Sequence, residues 1–166
     1  GIDGEGTEAS PYILKTAQDM VDMRSLAKVG GETWFKLGAD IDMQGVTNYV
    51  PVNYGDTVVE GETSVTTFSR KINFDGNGKT ISNFSCNFKS YPSLFGVLYG
   101  TVKNLTVTGA AITAEGPCGI IGGYAGTVQN DIPMPAVLEY TAACHVCPCL
   151  HFHQIFFSEP LLISVG

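Results

Sequence analysis

The spacing of apolar and polar positions changes twice along this chain, and each change predicts a different element. Between residues 16 and 29, Ala17, Met20, Val21, Arg24, Ala27 and Lys28 keep helical spacing, with Leu26 adding to the apolar side. Thr16-Ala17-Gln18-Asp19 supplies an N-cap and an acidic first turn, and Gly30-Gly31 a left-handed stop, so the pattern predicts a helix of about three turns. From Thr33 to Met43 the period drops to two. Trp34, Lys36 and Gly38 fall on one side of this strand, and Phe35, Leu37 and Ala39 on the other. Residues 53–67 mix Gly, Asp, Glu and Thr with little periodicity and read as an exposed loop. Ile72-Asn73-Phe74 then enters a turn at Asp75-Gly76-Asn77-Gly78, and short strands resume.

Those later strands repeat. Thr80-Ile81-Ser82-Asn83-Phe84-Ser85 matches Thr101-Val102-Lys103-Asn104-Leu105-Thr106, and a third copy starts at Thr127-Val128-Gln129-Asn130, at separations of 21 and 26 residues. The longer spacing also aligns Leu94-Phe95-Gly96 with Ile120-Ile121-Gly122, and Gly100 with Gly126. Short strands, Gly corners and a period of this length indicate a β-solenoid, in which one rung buries its apolar face only against its neighbours. Asn83, Asn104 and Asn130 are then expected to stack as a structural ladder of amides.

Composition divides the chain. Of its 166 residues 20 are Gly, and 19 of these lie at or before Gly126. All nine basic residues lie at or before Lys103, whereas three of five cysteines and all three histidines lie beyond residue 140. We therefore expect a module over 1–130 and an atypical Cys/His/Phe-rich tail over 131–166, opened by Asp131-Ile132-Pro133-Met134-Pro135, where two prolines oppose strand pairing. Three readings of the tail stay open: a C-terminal cap, a homodimer contact, or a segment foreign to the module. The net charge of −7 argues against a nucleic-acid footprint, and no apolar run reaches the roughly 20 residues of a membrane helix. The opening Gly1-Ile2-Asp3-Gly4 has no signal-peptide pattern and reads as a mature or trimmed start.

The motifs resemble those of a family of bacterial surface and secreted proteins carrying GLUG repeats. Gly6-Thr7-Glu8-Ala9-Ser10-Pro11-Tyr12-Ile13 is similar to the family's entry motif. Phe35-Lys36-Leu37-Gly38-Ala39-Asp40-Ile41-Asp42-Met43 and Phe74-Asp75-Gly76-Asn77-Gly78-Lys79-Thr80-Ile81 continue the likeness. Leu94-Phe95-Gly96, Gly100 to Leu105, and Gly119-Ile120-Ile121-Gly122-Gly123-Tyr124 resemble the repeats themselves. The resemblance covers about residues 4–130. It implies an all-β fold, a short right-handed parallel β-helix with one N-terminal capping helix, and an adhesin-like or glycan-associated role outside the cell. It carries over no catalytic residues.

Candidate chemistry is sparse. Cys144, Cys147, His151 and His153 are weak metal ligands, because on one strand the alternate residues His145 to His153 stand about 6.6 Å apart, too spread for one tetrahedral ion. A Cys144–Cys147 or Cys144–Cys149 disulfide is the alternative, and Cys86 and Cys118 are expected as free thiols. Asn73 to Gly78 imitates a calcium loop, but Phe84 stands where its bidentate acid belongs, so a tight turn is expected. Asp40 and Asp42 share a strand face as glycosidase acids would, yet Arg70 and Lys71 have no acidic cluster beside them. We expect no catalytic residue, metal or cofactor. The leading expectation is a non-enzymatic surface module that binds extended glycans or spaces out further repeats and domains of the same chain. Tyr49, Tyr54, Tyr91, Tyr99 and Tyr124 are its candidate sugar-stacking residues. The alternative is a carbohydrate-active enzyme, a polysaccharide lyase or hydrolase.

Overall fold

Short strands of two to six residues cannot hold a fold alone, and here parallel neighbours far along the chain pair with them. The structure, a computed structural model, describes residues 1–113 and 119–122, together with the backbone of the strands at 124–125, 139–142 and 162–165. In chain order the elements are β1 (Tyr12–Leu14), α1 (Ala17–Leu26), β2 (Glu32–Leu37), β3 (Ile41–Asp42), β4 (Asp56–Glu60), β5 (Thr63–Thr67), β6 (Lys71–Asp75), β7 (Thr80–Ser82) and β8 (Ser85–Cys86). They continue as β9 (Val97–Leu98), β10 (Gly100–Lys103), β11 (Thr106–Thr108), β12 (Ala111–Ile112), β13 (Tyr124–Ala125), β14 (Glu139–Ala142) and β15 (Leu162–Val165).

The strands form parallel sheets: β1-β2-β6-β10, β3-β7-β11, β8-β12 and β9-β13. Successive strands of the chain pass from one sheet to the next and then return one layer on. The register pairs Ile81 with Val107 and Cys86 with Ile112, each 26 residues apart. The same separation brings the amides of Leu94 and Phe95 to the carbonyls of Ile120 and Ile121. The expected 26-residue period therefore recurs in the pairing of parallel strands. Among the described residues the protein is mostly β with one short helix, and its sheets close no barrel.

Alternation decides what is buried. In β2, Thr33, Phe35 and Leu37 are buried while Glu32, Trp34 and Lys36 are half-exposed. Phe35 lies beside Phe74, and the Phe74 ring tilts against Phe95 from across the interior at 5.0 Å. Ile41, Ile81 and Val107 form a second aliphatic column. Each such side chain contributes about 1.5–3 kcal/mol by leaving water. Gly100 is obligatory where layers meet most closely: its φ is +122°, and a Cβ there would drive into the Ile72 carbonyl.

Several elements differ from the sequence pattern. The helix is shorter than 16–29 and ends at Leu26, because Ala27 is extended and Arg70 Nε donates to its carbonyl at 3.4 Å. Its N-terminus has the expected cap, with Thr16 and Asp19 forming a reciprocal capping box. Met20 and Met23 are its buried residues, whereas Val21 is exposed. Residues 56–67 are an antiparallel hairpin rather than a loop. Thr57 and Thr66 share a hydroxyl hydrogen bond of 2.7 Å across it, and Val58 faces Val65. Thr33 to Met43 breaks into β2 and β3 at Gly38-Ala39-Asp40. Beyond residue 131, β14 and β15 pair in parallel and β14 lies beside β11, so strand pairing resumes after the two prolines.

Candidate functional site

The long sheet has an outward face as well as a core face, and its register arranges that face as three columns on three layers. Glu32, Trp34 and Lys36 stand on β2; Lys71, Asn73 and Asp75 lie beside them on β6. Thr101 and Lys103 of β10 continue the second and third columns, and Tyr99, just before β10, continues the first. A trough of about 640 Å³ runs over this face, with Glu8, Ala9 and Pro11 of the N-terminal segment as one wall.

The first two columns are tied together. Thr101 Oγ1 donates to Asn73 Oδ1 at 2.9 Å, and Asn73 Nδ2 donates to Glu32 Oε1 at 2.6 Å. Lys71 Nζ lies 3.6 Å from the same Glu32 oxygen and 5.8 Å from the centre of the Tyr99 ring. Trp34 is the one tryptophan of the chain, and its half-exposed indole lines the trough next to this network. An indole platform beside oriented amide, hydroxyl and carboxylate groups can stack on a flat apolar ring face and hydrogen-bond its polar rim. The alternating pattern puts Trp34 on one side of a strand and does not by itself mark it as a site. The signal was available: a lone tryptophan on the polar side of an alternating strand, between Glu32 and Lys36.

The predicted tyrosines do not share a surface. Tyr49 is a core residue: it is 2% exposed, packs edge-on against Phe84 and donates to the Leu94 carbonyl at 2.8 Å. Burial pushes its phenol well above the ordinary value, and the same burial leaves the ring no open face on which a sugar could stack. Tyr54 is covered by the Arg24 guanidinium at 3.7 Å and by Phe88 at 4.9 Å. Tyr91 packs edge-on against Phe68. Of the five, Tyr99 is the one the register places on the trough face; the side chain of Tyr124 lies outside the described residues.

The asparagines are structural, but they do not form one ladder. Asn83 follows β7 and Asn104 follows β10, which belong to different sheets. Each turns a corner in the left-handed region, with φ of 56° and 54°. Each donates its amide to an aspartate of the preceding layer, Asn83 to Asp42 at 2.9 Å and Asn104 to Asp75 at 3.2 Å. In the layer after Asn83 the corner is Gly109, with φ of 63°. The 21-residue repeat thus relates two different kinds of corner, and only the longer repeat relates equivalent positions of successive layers. Asn130 lies outside the described residues, as do Cys118, Cys144, Cys147, His151 and His153.

The acidic candidates serve the same corners. Asp40 accepts from the Thr80 amide at 2.9 Å. Asp42 accepts from Asn83 and from the Gln44 amide, which hold its carboxyl below the ordinary value. Asp75 accepts from the Asn77 amide at 2.7 Å within the expected tight turn. Cys86 is a buried free thiol, pushed up by desolvation. Arg70 is not a site residue: with Arg24 it grips Asp56, at 3.0 and 3.4 Å, and so pins the hairpin to the helix and the stack. Burial, followed by the neighbouring Arg70 charge, lowers the pKa of Arg24.

No family model matches the chain. Over 132 residues it is 32% identical to a protein of Evansella cellulosilytica provisionally named a Gly-rich membrane protein, across 74% of this chain and 14% of that protein. It is 31% identical over 132 residues to halomucin of Haloquadratum walsbyi, across 76% of this chain and 1% of halomucin. The crystal structure of a provisionally assigned immunoglobulin A1 protease from Bacteroides ovatus superposes with a TM-score of 0.63 and 31% identity, across 86% of this chain and 40% of that one. The chain therefore spans less than half the length of each protein it resembles, and its likeness to them is that of a module. Among the described residues no helix is long and apolar enough to cross a membrane.

Proposed function

We propose that this chain is a surface-displayed, non-enzymatic module, a short right-handed parallel β-helix of the GLUG type, which holds an extended glycan in the trough over its long sheet. One observation carries the proposal: Trp34 stands half-exposed on a concave face beside Asn73, Thr101 and Glu32, whose hydrogen bonds to one another fix their orientation. Oriented polar groups around an aromatic platform select a ligand that is apolar on its faces and hydroxylated at its edges. A display position outside the cell is supported by the names of its relatives, a membrane protein and a halomucin, each far longer than the chain. The non-enzymatic reading is supported by the use of Asp40 and Asp42 as corner acceptors, and by the hydrogen bonds that commit Glu32 and Asp75, two of the acids lining the trough, to Asn73 and to corner amides.

A glycan array with and without calcium, run on the protein and on Trp34→Ala, tests this. Selective, saturable binding that Trp34→Ala abolishes while the fold survives is the expected result. A blank array with folded protein would refute the binding role and favour a spacer between other domains. Turnover of a bound polysaccharide would instead favour the lyase or hydrolase alternative.

A further inference from the structure

The first column of the trough face pairs its charges, Lys71 with Glu32, and the second carries none; the third leaves its lysines outside any ion pair among the described residues. Lys36, Asp75 and Lys103 follow one another across three layers. A like-sided Lys-Asp-Lys row would ordinarily neutralise itself in part. Here Asp75 Oδ1 is engaged by the Asn77 amide and by Asn104 Nδ2, which draw the carboxylate toward the corner. The ion pairs among the described residues involve Lys15, Arg24, Arg70 and Lys71, and include neither Lys36 nor Lys103. Both lysines nonetheless line the trough. Of the other carboxylates lining the trough, Glu32 is already held by Asn73 and Lys71, and Glu8 belongs to the N-terminal wall rather than to the sheet face.

We infer that the trough selects an acidic polysaccharide, one bearing a carboxylate or sulfate on alternate sugars, with a ring on Trp34 and its anionic groups at Lys36 and Lys103. This rests on the glycan-binding role proposed above and names the class of glycan. The two lysines are two layers apart, about 9.6 Å at the spacing of paired strands, which is the scale of one disaccharide. The chain's net charge of −7 does not oppose this, because charges farther than about 10 Å are largely screened at 0.1 M salt. A flexible ammonium suits a point contact of this kind better than a bidentate one.

The test titrates the protein calorimetrically with three probes: a hyaluronan decasaccharide, the same decasaccharide after reduction of its carboxyl groups, and a chondroitin sulfate decasaccharide. Binding of either acidic probe, weakened by added salt and at least several-fold tighter than the neutral one, is expected. Hyaluronan binding assigns the contact to carboxylate; binding of chondroitin sulfate alone assigns it to sulfate. The double variant Lys36→Gln/Lys103→Gln should weaken the acidic complex roughly tenfold and shrink the acidic-over-neutral preference below about twofold. The charge-matched control Lys28→Gln/Lys89→Gln should keep that preference. Equal binding of acidic and neutral probes that Trp34→Ala abolishes would overturn the inference and leave the glycan-binding role standing. No binding of any probe, together with a blank array, would end both.

Discussion

Asn53 offers the sharpest test of how the layers are held. It is fully buried, at the point where the chain leaves the stack to form the β4–β5 hairpin. Its Nδ2 donates to the Val97 carbonyl at 2.9 Å, and its Oδ1 accepts from the Arg70 amide at 3.3 Å, where the chain returns. One side chain thus joins two layers and closes the neck of the hairpin. Asn53→Leu keeps the volume and removes both bonds. Each orphaned buried group costs about 1–3 kcal/mol, and the added apolar burial returns at most about 1.5 kcal/mol. The expected net loss is about 3 kcal/mol, or about 10 °C in Tm for a domain of this size. Urea denaturation and thermal melting by circular dichroism measure it, with exposed Asn48→Leu as a control that should move stability by less than about 0.5 kcal/mol. A loss under about 1 kcal/mol with an unchanged urea dependence would refute the reasoning, since it would mean that neither group depends on Asn53.

Two further outcomes follow from the corners and the core. Asn83→Gly should leave stability within about 0.5 kcal/mol, whereas Asn83→Ala should cost about 1–2 kcal/mol, because only the alanine strains a φ of 56°. An NMR titration should also show the Asp42 carboxyl rising toward its ordinary 3.8 in Asn83→Gly. Asp42 is lowered in the folded state, so it contributes stability above that value and loses it as pH falls through the folded one. Tyr49 is raised in the folded state, so its contribution is complete below 10.0 and falls as pH climbs past it. Urea melts between neutral and strongly alkaline pH should show this slope, flattened in Tyr49→Phe, which should itself cost about 0.5–1.5 kcal/mol at neutral pH through one lost hydrogen bond, since the Leu94 carbonyl still accepts from the Val52 amide.

What could be read from the sequence depended on whether a residue's burial left a period behind it. Phe35 and Leu37 alternate with Trp34 and Lys36 because one face of β2 meets the core, and the pattern survives into the structure. The β4–β5 hairpin left no such trace: Val58, Val59 and Val65 are all exposed, so neither face is marked. Tyr49 is a core residue that the pattern does not mark, for the converse reason. It lies in no strand, and only the three-dimensional placement of Phe84 and the Leu94 carbonyl shows that it is internal. The Asn83 and Asn104 motifs were read as successive layers because both follow the same Thr-x-x-Asn pattern. The pattern reports a local demand, a left-handed residue after a short strand, and that demand arises at more than one corner of a layer.

The same distinction bears on the proposed site. Asn53, Asn77, Asn83 and Asn104 direct their amides at groups of this chain and, unlike Asn73, do not line the trough, so folding alone explains their geometry. Asp40, Asp42 and Asp75 are likewise committed to corners. Folding accounts less completely for the outward face of the long sheet. Trp34 forgoes part of the burial that would repay its size, and Lys36 and Lys103 stand in one column beside a carboxylate turned elsewhere. A sheet face under no functional demand could pair those charges across layers and carry a smaller residue in place of the indole. That it does neither supports placing the proposed site on this face, rather than on the scattered tyrosines or the acidic pair of β3.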